Sequence, residues 1–282
     1  MTDATPTEES IAAVEASLDD AAAAPEPQRR ARSLSLWNYP ATYTLLGINL
    51  LVYAAMFAYG PVPGMLHQHD LAGVLTASFN IDTLVRFGAT NSQLVLAGQW
   101  WRLVTGTFVH ITLLHIALNM WCLWNLGLFG EPLLGRRGLV VVYLVTGTAG
   151  MLLSFALAPA NADVTVAGAS GAVFGIAGIL IVLLSNRRLP FPWEELRRLR
   201  SSVIKFAAIN LVIGLSTRVI NVGISIDNSA HIGGFLSGLA LGVPLVPRMT
   251  SGRQRYLARQ KVAFAIACLV LALFGFAIAN YL

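Results

Sequence analysis

Seven apolar runs, each about 20 residues long, constrain the fold of this chain more than any other feature. A helix rises 1.5 Å per residue, so about 20 residues cross a hydrocarbon core about 30 Å thick. Only 12% of the residues are charged and the mean hydropathy is +0.66, which one anchor on a soluble protein would not produce. We therefore predict an all-α, polytopic membrane bundle with seven transmembrane helices, at roughly 41–59, 108–129, 138–158, 166–185, 202–220, 229–247 and 261–282.

The Lys and Arg residues are divided unequally between the two ends of these helices. When the flanks are assigned alternately, sixteen of the 19 fall on one side, and Arg86, Arg102 and Arg218 fall on the other. Cytoplasmic loops carry the excess of Lys and Arg. This predicts a multi-pass plasma (cell inner) membrane protein with a cytoplasmic N-terminus and an external C-terminus. We therefore attribute the net charge of +5 to membrane topology rather than to a binding patch, and we expect no nucleic-acid partner.

Composition divides the chain into three predicted regions. Residues 1–36 are rich in Ala, Glu, Asp and Pro, and they form a predicted disordered cytoplasmic tail. A six-helix catalytic core is predicted over 37–247, and a basic loop with an additional transmembrane helix over 248–282. The connection over about 60–107 is too apolar for a solvated linker and too interrupted for a span, so we expect an interfacial structure. The two cysteines show no CxxC spacing, and we expect neither a disulfide nor a bound metal.

Three polar residues in the apolar runs share one predicted depth. Ser170 and His231 each precede the next cytoplasmic charge by 17 residues, and His115 precedes Glu131 by 16. At 1.5 Å per residue, all three lie about 24–26 Å from the cytoplasmic charges. Ionisable or strongly polar residues inside a membrane are costly, and they usually face a cavity, a partner or a site. The shared depth predicts one site just below the external surface.

Glycine pairs indicate which helices carry that site. Gly171 and Gly175 lie four residues apart on the fourth predicted helix, and Gly234 and Gly238 lie four apart on the sixth. Such pairs let helix backbones approach closely in lipid. His231 shares a helix face with Gly234 and Gly238, so the same contact directs its imidazole toward the fourth helix.

These residues predict nucleophilic catalysis by a serine. Ser170 begins a predicted helix, where nearby backbone N–H groups can stabilise a developing oxyanion. His115 and Asn119, spaced i and i+4, add side-chain donors, while His231 accepts the serine proton and returns it to the leaving amine. No acidic residue has an obvious position from which to orient His231. Asp227 remains a candidate for the third member of a catalytic triad.

Other chemistries lack their sequence signatures. The chain has no HExxH motif for a zinc protease, no aspartate deep in a predicted span, no complete GxSxG and no phosphate loop or dinucleotide fingerprint. We therefore expect no cofactor. A channel or transporter would continue its polar residues toward the cytoplasmic side, whereas the sequence below Asn119 and Ser170 is nearly all apolar.

Taken in order, these motifs resemble the rhomboid family of intramembrane serine proteases over about residues 41–247. The matching residues are Trp101-Arg102, His110, His115, Asn119, Gly168-Ala-Ser170-Gly171, Ala230-His231, Gly234 and Gly238. The resemblance implies a Ser170–His231 dyad without an acid, and an oxyanion pocket of His115, Asn119 and the Ser170 backbone. Phe174 matches the ring that family members pack under the histidine, where they often carry tyrosine.

The resemblance also implies the kind of substrate. Family members cut single-span membrane proteins near the external end of the span, within the lipid bilayer. Entry by displacement of the fifth helix and of the loop around 221–228, which contains Asn221 and Gly223, is a hypothesis. The alternative is an inactive rhomboid-like protein that binds membrane clients, against which the presence of both Ser170 and His231 argues.

Overall fold

The computed structural model describes residues 36–60, 71–159, 162–187, 189, 191–220, 227–246 and 252–281. The predicted tail, apart from residue 36, and the loop residues Asn221 and Gly223 lie outside these ranges. The chain divides into Met1–Asn38 and Tyr39–Leu282, and the second unit is the one described below. The three predicted regions stay a prediction.

Within the described residues, seven helices have 14 residues or more, and they confirm a helical membrane bundle. They are α1 (Pro40–Tyr59), α6 (Leu113–Leu134), α7 (Arg136–Ala156), α8 (Ser170–Leu183), α9 (Trp193–Ile220), α10 (Asn228–Leu245) and α11 (Arg253–Tyr281). By length and composition, α1, α6, α7 and α11 qualify as membrane spans, and α8 is apolar but shorter. The count of seven spans therefore stays a prediction.

Helix α8 lies at the centre of the bundle. Every residue over 171–180 is buried, because glycine and alanine on α8 allow its neighbours to approach on all sides. Helices α6, α7, α9 and α10 all pack against it. Helices α1 and α11 occupy the periphery, where α1 contacts α6 and α7 and α11 contacts α7 and α10.

The start of α8 differs from the prediction of 166. Thr165–Val166 forms a short strand, β2, that pairs antiparallel with β1, Thr90–Asn91. Gly168 then adopts a φ of +129°, which interrupts any helix that includes it. The sequence over 166–169 is small and apolar enough to resemble helix, but the strand pairing and this turn delay the helix until Ser170.

Three other helices begin elsewhere than predicted. Helix α9 starts at Trp193 rather than 202, and α11 starts at Arg253 rather than 261, since both continue through charged residues beyond their apolar stretches. Helix α6 covers Leu113–Leu134 rather than 108–129. Its start is fixed by Thr112, whose Oγ1 accepts a hydrogen bond from the His115 backbone N–H at 3.0 Å.

In its described part, residues 71–112, the connection between α1 and α6 contains short helices rather than a span. They are α2 (Leu71–Thr76), α3 (Ile81–Arg86), α4 (Ser92–Leu96), α5 (Arg102–Thr105) and a 3₁₀ turn at Gly106–Phe108. The Arg102 guanidinium donates to the Val85 and Ala89 carbonyls at 2.6 and 3.1 Å, and to Gln99 Oε1 at 2.7 Å. One side chain thus holds three turns of the connection together.

The two peripheral helices are attached through helix ends. Both carboxylate oxygens of the buried Glu131 on α6 accept backbone hydrogen bonds from the start of α1, from Ala41 at 3.0 Å and Thr42 at 2.8 Å. On the other side of the bundle, Gln260 of α11 donates to the Leu134 carbonyl at 3.0 Å, and Tyr256 donates to Leu133 at 3.3 Å. These contacts satisfy groups that a helix leaves unpaired at its ends.

Candidate active site

Helices α8 and α10 touch backbone to backbone. A Cβ added at Gly234 would lie 2.0 Å from the Gly171 carbonyl oxygen, and one added at Gly238 would lie 2.1 Å from the Gly175 oxygen. Real Cβ atoms do not approach oxygen so closely, so both positions need glycine as long as the helices stay in place. This contact, the glycine seam, brings the helix that begins with Ser170 against the helix that carries His231.

His231 lies flat against a ring of the opposite helix. Its imidazole stacks on Phe174, with ring centroids 4.4 Å apart and planes 11° apart. Phe174 follows Ser170 by four residues, so the two side chains project from one face of α8 in successive turns. His231 is buried, and its Nδ1 has no hydrogen-bond partner within the described part of the chain. The imidazole therefore lies close to the first turn of α8 with one nitrogen uncommitted.

The His115 ring occupies the space beside Gly168. A Cβ at Gly168 would lie 2.7 Å from Cε1 and 2.8 Å from Nε2 of His115. Gly168 also has a positive φ, which L side chains rarely adopt. The structure thus brings His115 within contact distance of the chain two residues before Ser170.

Asn119 lies one turn below His115 and is buried. Its Nδ2 donates to the His115 carbonyl at 2.9 Å, which uses one of its two N–H donors. The second donor is the one that a substrate oxyanion would require.

His110 has a role that the sequence reasoning did not assign. Its Nδ1 lies 3.3 Å from the Phe108 carbonyl, and its Nε2 accepts from the Ala169 backbone N–H at 3.4 Å. Burial, together with the nearby His115, lowers the pKa of His110 well below its ordinary value. A neutral ring with its proton on Nδ1 fits both contacts. His110 thereby connects the segment that leads into α6 to Ala169, the residue before Ser170.

The turn before Ser170 is also held by backbone. The Gly168 N–H donates to the Gly106 carbonyl at 2.9 Å, beside the pairing of β1 with β2. The spacing of His110 and His115 was visible in the sequence. Nothing in the sequence pattern links Gly106 or His110 to residues about 60 positions away.

Asp227 is engaged in a helix cap. Its Oδ1 accepts from the backbone N–H groups of Ser229 at 2.9 Å and Ala230 at 3.3 Å, and Oδ2 accepts a short hydrogen bond from Ser154. Asp163 accepts from Asn91 at 2.7 Å. Both carboxylates therefore hold loop and helix ends in place.

Residues 97–248 match the family profile described as Rhomboid domain. The chain belongs to the rhomboid family. It is 35% identical to Rhomboid protease GluP of Bacillus subtilis over 224 residues, which are 78% of this chain and 38% of the relative. It is 28% identical to Rhomboid protease AarA of Providencia stuartii over 216 residues, which are 71% of this chain and 75% of the relative.

A third similar protein comes from a plant. The chain is 33% identical to RHOMBOID-like protein 5 of Arabidopsis thaliana over 174 residues, which are 61% of this chain and 53% of that protein. The chain thus spans about two fifths to one half of GluP and the plant protein. Family membership and the apolar helices together make this a multi-pass membrane protein.

Proposed function

We propose that this rhomboid-family chain is an intramembrane serine endopeptidase that uses Ser170 as nucleophile and His231 as general base. The observation that carries the proposal is the stack of His231 on Phe174, 4.4 Å between centroids and one helical turn from Ser170. Buried polar atoms are usually hydrogen-bonded, so a histidine that served only in packing would not need an unbonded ring nitrogen. Among the described residues, His231 has such a nitrogen, Nδ1, and its ring lies beside the first turn of the helix that begins with Ser170. The protease names of GluP and AarA agree with this class of activity.

In the first step, Ser170 Oγ attacks the substrate carbonyl carbon as His231 takes the hydroxyl proton. The resulting oxyanion accepts hydrogen bonds from the Ser170 backbone N–H, from His115 and from the second N–H of Asn119. Collapse of the intermediate breaks the C–N bond, and His231 gives the proton to the leaving amine. Water then repeats the sequence on the acyl-enzyme, which releases the carboxylic acid and restores Ser170.

The imidazole is oriented here without a carboxylate. In a serine-histidine-aspartate triad the acid fixes the tautomer and orientation of the ring. In this chain the flat contact with Phe174 fixes the plane of the ring, and the glycine seam fixes the helix that bears it. Asp227 contributes by capping α10 four residues before His231.

The proposed substrates are single-span membrane proteins that are cut near the external end of their span. A helical amide is shielded by its own turn, so the cleaved segment must unwind to reach Ser170. The distribution of Lys and Arg favours the plasma membrane orientation with the N-terminus in the cytoplasm. In that orientation Ser170, the first residue of α8, lies at the external end of its helix.

A fluorophosphonate probe on the detergent-solubilised full chain tests the proposal. We expect covalent labelling that Ser170→Ala and His231→Ala both abolish, together with loss of cleavage of a single-span substrate by about 10³-fold or more. Ser237→Ala is the matched control, because Ser237 also lies in a bundle helix and, within the described residues, its hydroxyl bonds only back to the Gly234 carbonyl, at 2.8 Å.

Two results would contradict the proposal. Label that persists in Ser170→Ala would place the nucleophile elsewhere. A folded wild-type chain that binds membrane clients without labelling or cleavage would support the inactive, client-binding alternative.

A further inference from the structure

Two arginines converge on one tryptophan at the end of the bundle opposite Ser170. The guanidinium carbon of Arg187, just after α8, lies 4.6 Å from the centre of the Trp193 ring. That of Arg200, on α9, lies 5.6 Å from the same ring centre, and Arg200 donates to Ser185 Oγ at 3.1 Å. Contacts of this length are favourable cation–π interactions, and they fix both side chains.

This arrangement holds two positive charges close together. Since both guanidinium carbons are near one ring centre, they lie at most about 10 Å apart, about one Debye length at 0.1 M salt. Within the described residues neither arginine pairs with a carboxylate, although Glu194 and Glu195 follow Trp193 directly. The repulsion between the two guanidiniums is therefore left for another anion to offset.

A basic loop that only sets membrane topology does not need two arginines in contact with the same tryptophan ring. Positive charge anywhere on the cytoplasmic flank satisfies the topology rule. The C-terminal end of α8 favours nearby cations, and both Arg187 and Arg200, which donates to Ser185 just after that end, lie close to it. That preference does not require both guanidiniums to contact the same aromatic ring. An aromatic ring that contacts two guanidiniums positions both of them in advance, and guanidinium groups suit a ligand with several acceptor oxygens.

The position of the cluster indicates which anion. Helix α8 is apolar and ends at Leu183, so the residues that follow it lie where the hydrocarbon core gives way to headgroups. Tryptophan is enriched at that level, and basic pockets between membrane helices bind anionic lipid headgroups. We propose that Arg187, Arg200 and Trp193 form a binding site for the phosphate group of an anionic phospholipid.

Competition between two lipids tests this site on the full chain. The protein is purified in detergent with equimolar dioleoyl phosphatidylglycerol and dioleoyl phosphatidylcholine, and the lipids that remain bound are counted by native mass spectrometry. We expect the wild type to retain phosphatidylglycerol in preference to phosphatidylcholine. The double variant Arg187→Gln/Arg200→Gln lowers that preference by about fivefold per arginine.

Two further variants separate a built site from diffuse surface charge. Arg197→Gln/Arg198→Gln removes the same charge from exposed positions on α9 that do not stack on Trp193, and we expect a clearly smaller loss. Trp193→Leu changes no charge but removes the platform, and we expect a loss of severalfold. Elution volume and helical circular dichroism confirm that each variant remains folded.

Three outcomes would overturn the assignment. Equal losses in the two double variants would show diffuse attraction, and an unchanged preference in folded Trp193→Leu would show that the ring plays no part. If millimolar inorganic phosphate displaces the phosphatidylglycerol from the wild type, the ligand is a soluble phosphate and the lipid assignment is wrong.

Discussion

The centre and the periphery of this bundle are joined in different ways. At the centre, α8 and α10 touch through bare backbone at Gly171 and Gly234, with no side chain between them. At the periphery, α1 and α11 are attached by side chains that reach helix ends, from Glu131 to the start of α1 and from Gln260 to the end of α6. Helix α11 otherwise exposes most of its apolar surface.

This difference indicates which helix contacts can accommodate small displacements and which cannot. A side-chain contact tolerates small displacements because rotamers change, whereas a backbone contact has no side chain to move. The proposed catalytic residues lie on the two helices of the rigid contact. We therefore expect substitutions at the glycine seam to cost more than substitutions that detach a peripheral helix.

Gly234→Ala is expected to have the largest effect. Its Cβ would lie 2.0 Å from the Gly171 oxygen, so α10 must move away and carry His231 from Ser170. We predict loss of cleavage by about 100-fold or more and destabilisation of about 3 kcal/mol, measured by unfolding titration in mixed micelles.

Gly47→Ala provides the control, because its added Cβ on α1 would have no atom within 4 Å apart from the adjoining backbone of its own helix. It should leave both activity and stability nearly unchanged. An active, fully stable Gly234→Ala would show that the seam is not rigid.

Glu131→Ala ranks second and tests the attachment of α1. It removes the acceptor for two buried backbone N–H groups and for the Thr42 hydroxyl, which donates at 2.8 Å. Because an intramolecular hydrogen bond is worth about 0.5–1.5 kcal/mol net, and two buried N–H groups would lose their acceptor, we predict destabilisation of about 2 kcal/mol. The exposed Glu194→Ala is the comparison, and equal unfolding midpoints for the two variants would refute the capping role.

Phe174→Leu should mainly affect catalysis. It keeps an apolar side chain but removes the stacked surface, which is worth about 0.5–1.5 kcal/mol for aromatic pairs. We predict a fall in kcat of about threefold to tenfold, with Phe174→Tyr close to the wild type. Phe155→Leu, buried in a separate apolar cluster, should lower stability without a matching loss of kcat.

Gln260→Ala is expected to have the smallest effect. It removes one buried hydrogen bond, to the Leu134 carbonyl, and should destabilise the chain by about 1 kcal/mol with kcat retained. Asn280→Ala, an exposed position whose amide, among the described residues, bonds only to its own helix, should change nothing measurable. A loss of kcat in Gln260→Ala would mean that α11 reaches the site after all.

The apolar runs predicted the long helices because length and hydrophobicity act locally. The sequence could not predict where α8 begins, since that depends on the pairing of Thr165–Val166 with Thr90–Asn91, about 75 residues away. Helix α9 begins before the predicted residue 202 for a different reason. Its charged first turns lie beyond the apolar stretch, although nothing prevents a helix from continuing there.

In the candidate site too, some features follow from local sequence spacing, whereas others depend on residues that are distant in the chain. Equal depth predicts from the sequence alone that Ser170, His231 and His115 lie in one layer, and glycine spacing predicts a close contact between the helices of Ser170 and His231. The roles of His110 and Asp227 depend on partners in other parts of the chain, Ala169 and Ser154, and no local pattern identifies such pairs.

The backbone conformation and the surroundings of Gly168 limit which codon changes the gene can tolerate at this position. Its positive φ disfavours every L side chain, and the His115 ring occupies the space that a Cβ would need. Changes in the third base of a glycine codon are silent, whereas changes in the first or second base replace the residue or end the chain. The gene should therefore tolerate synonymous drift at this codon and no other change, two residues before the proposed nucleophile.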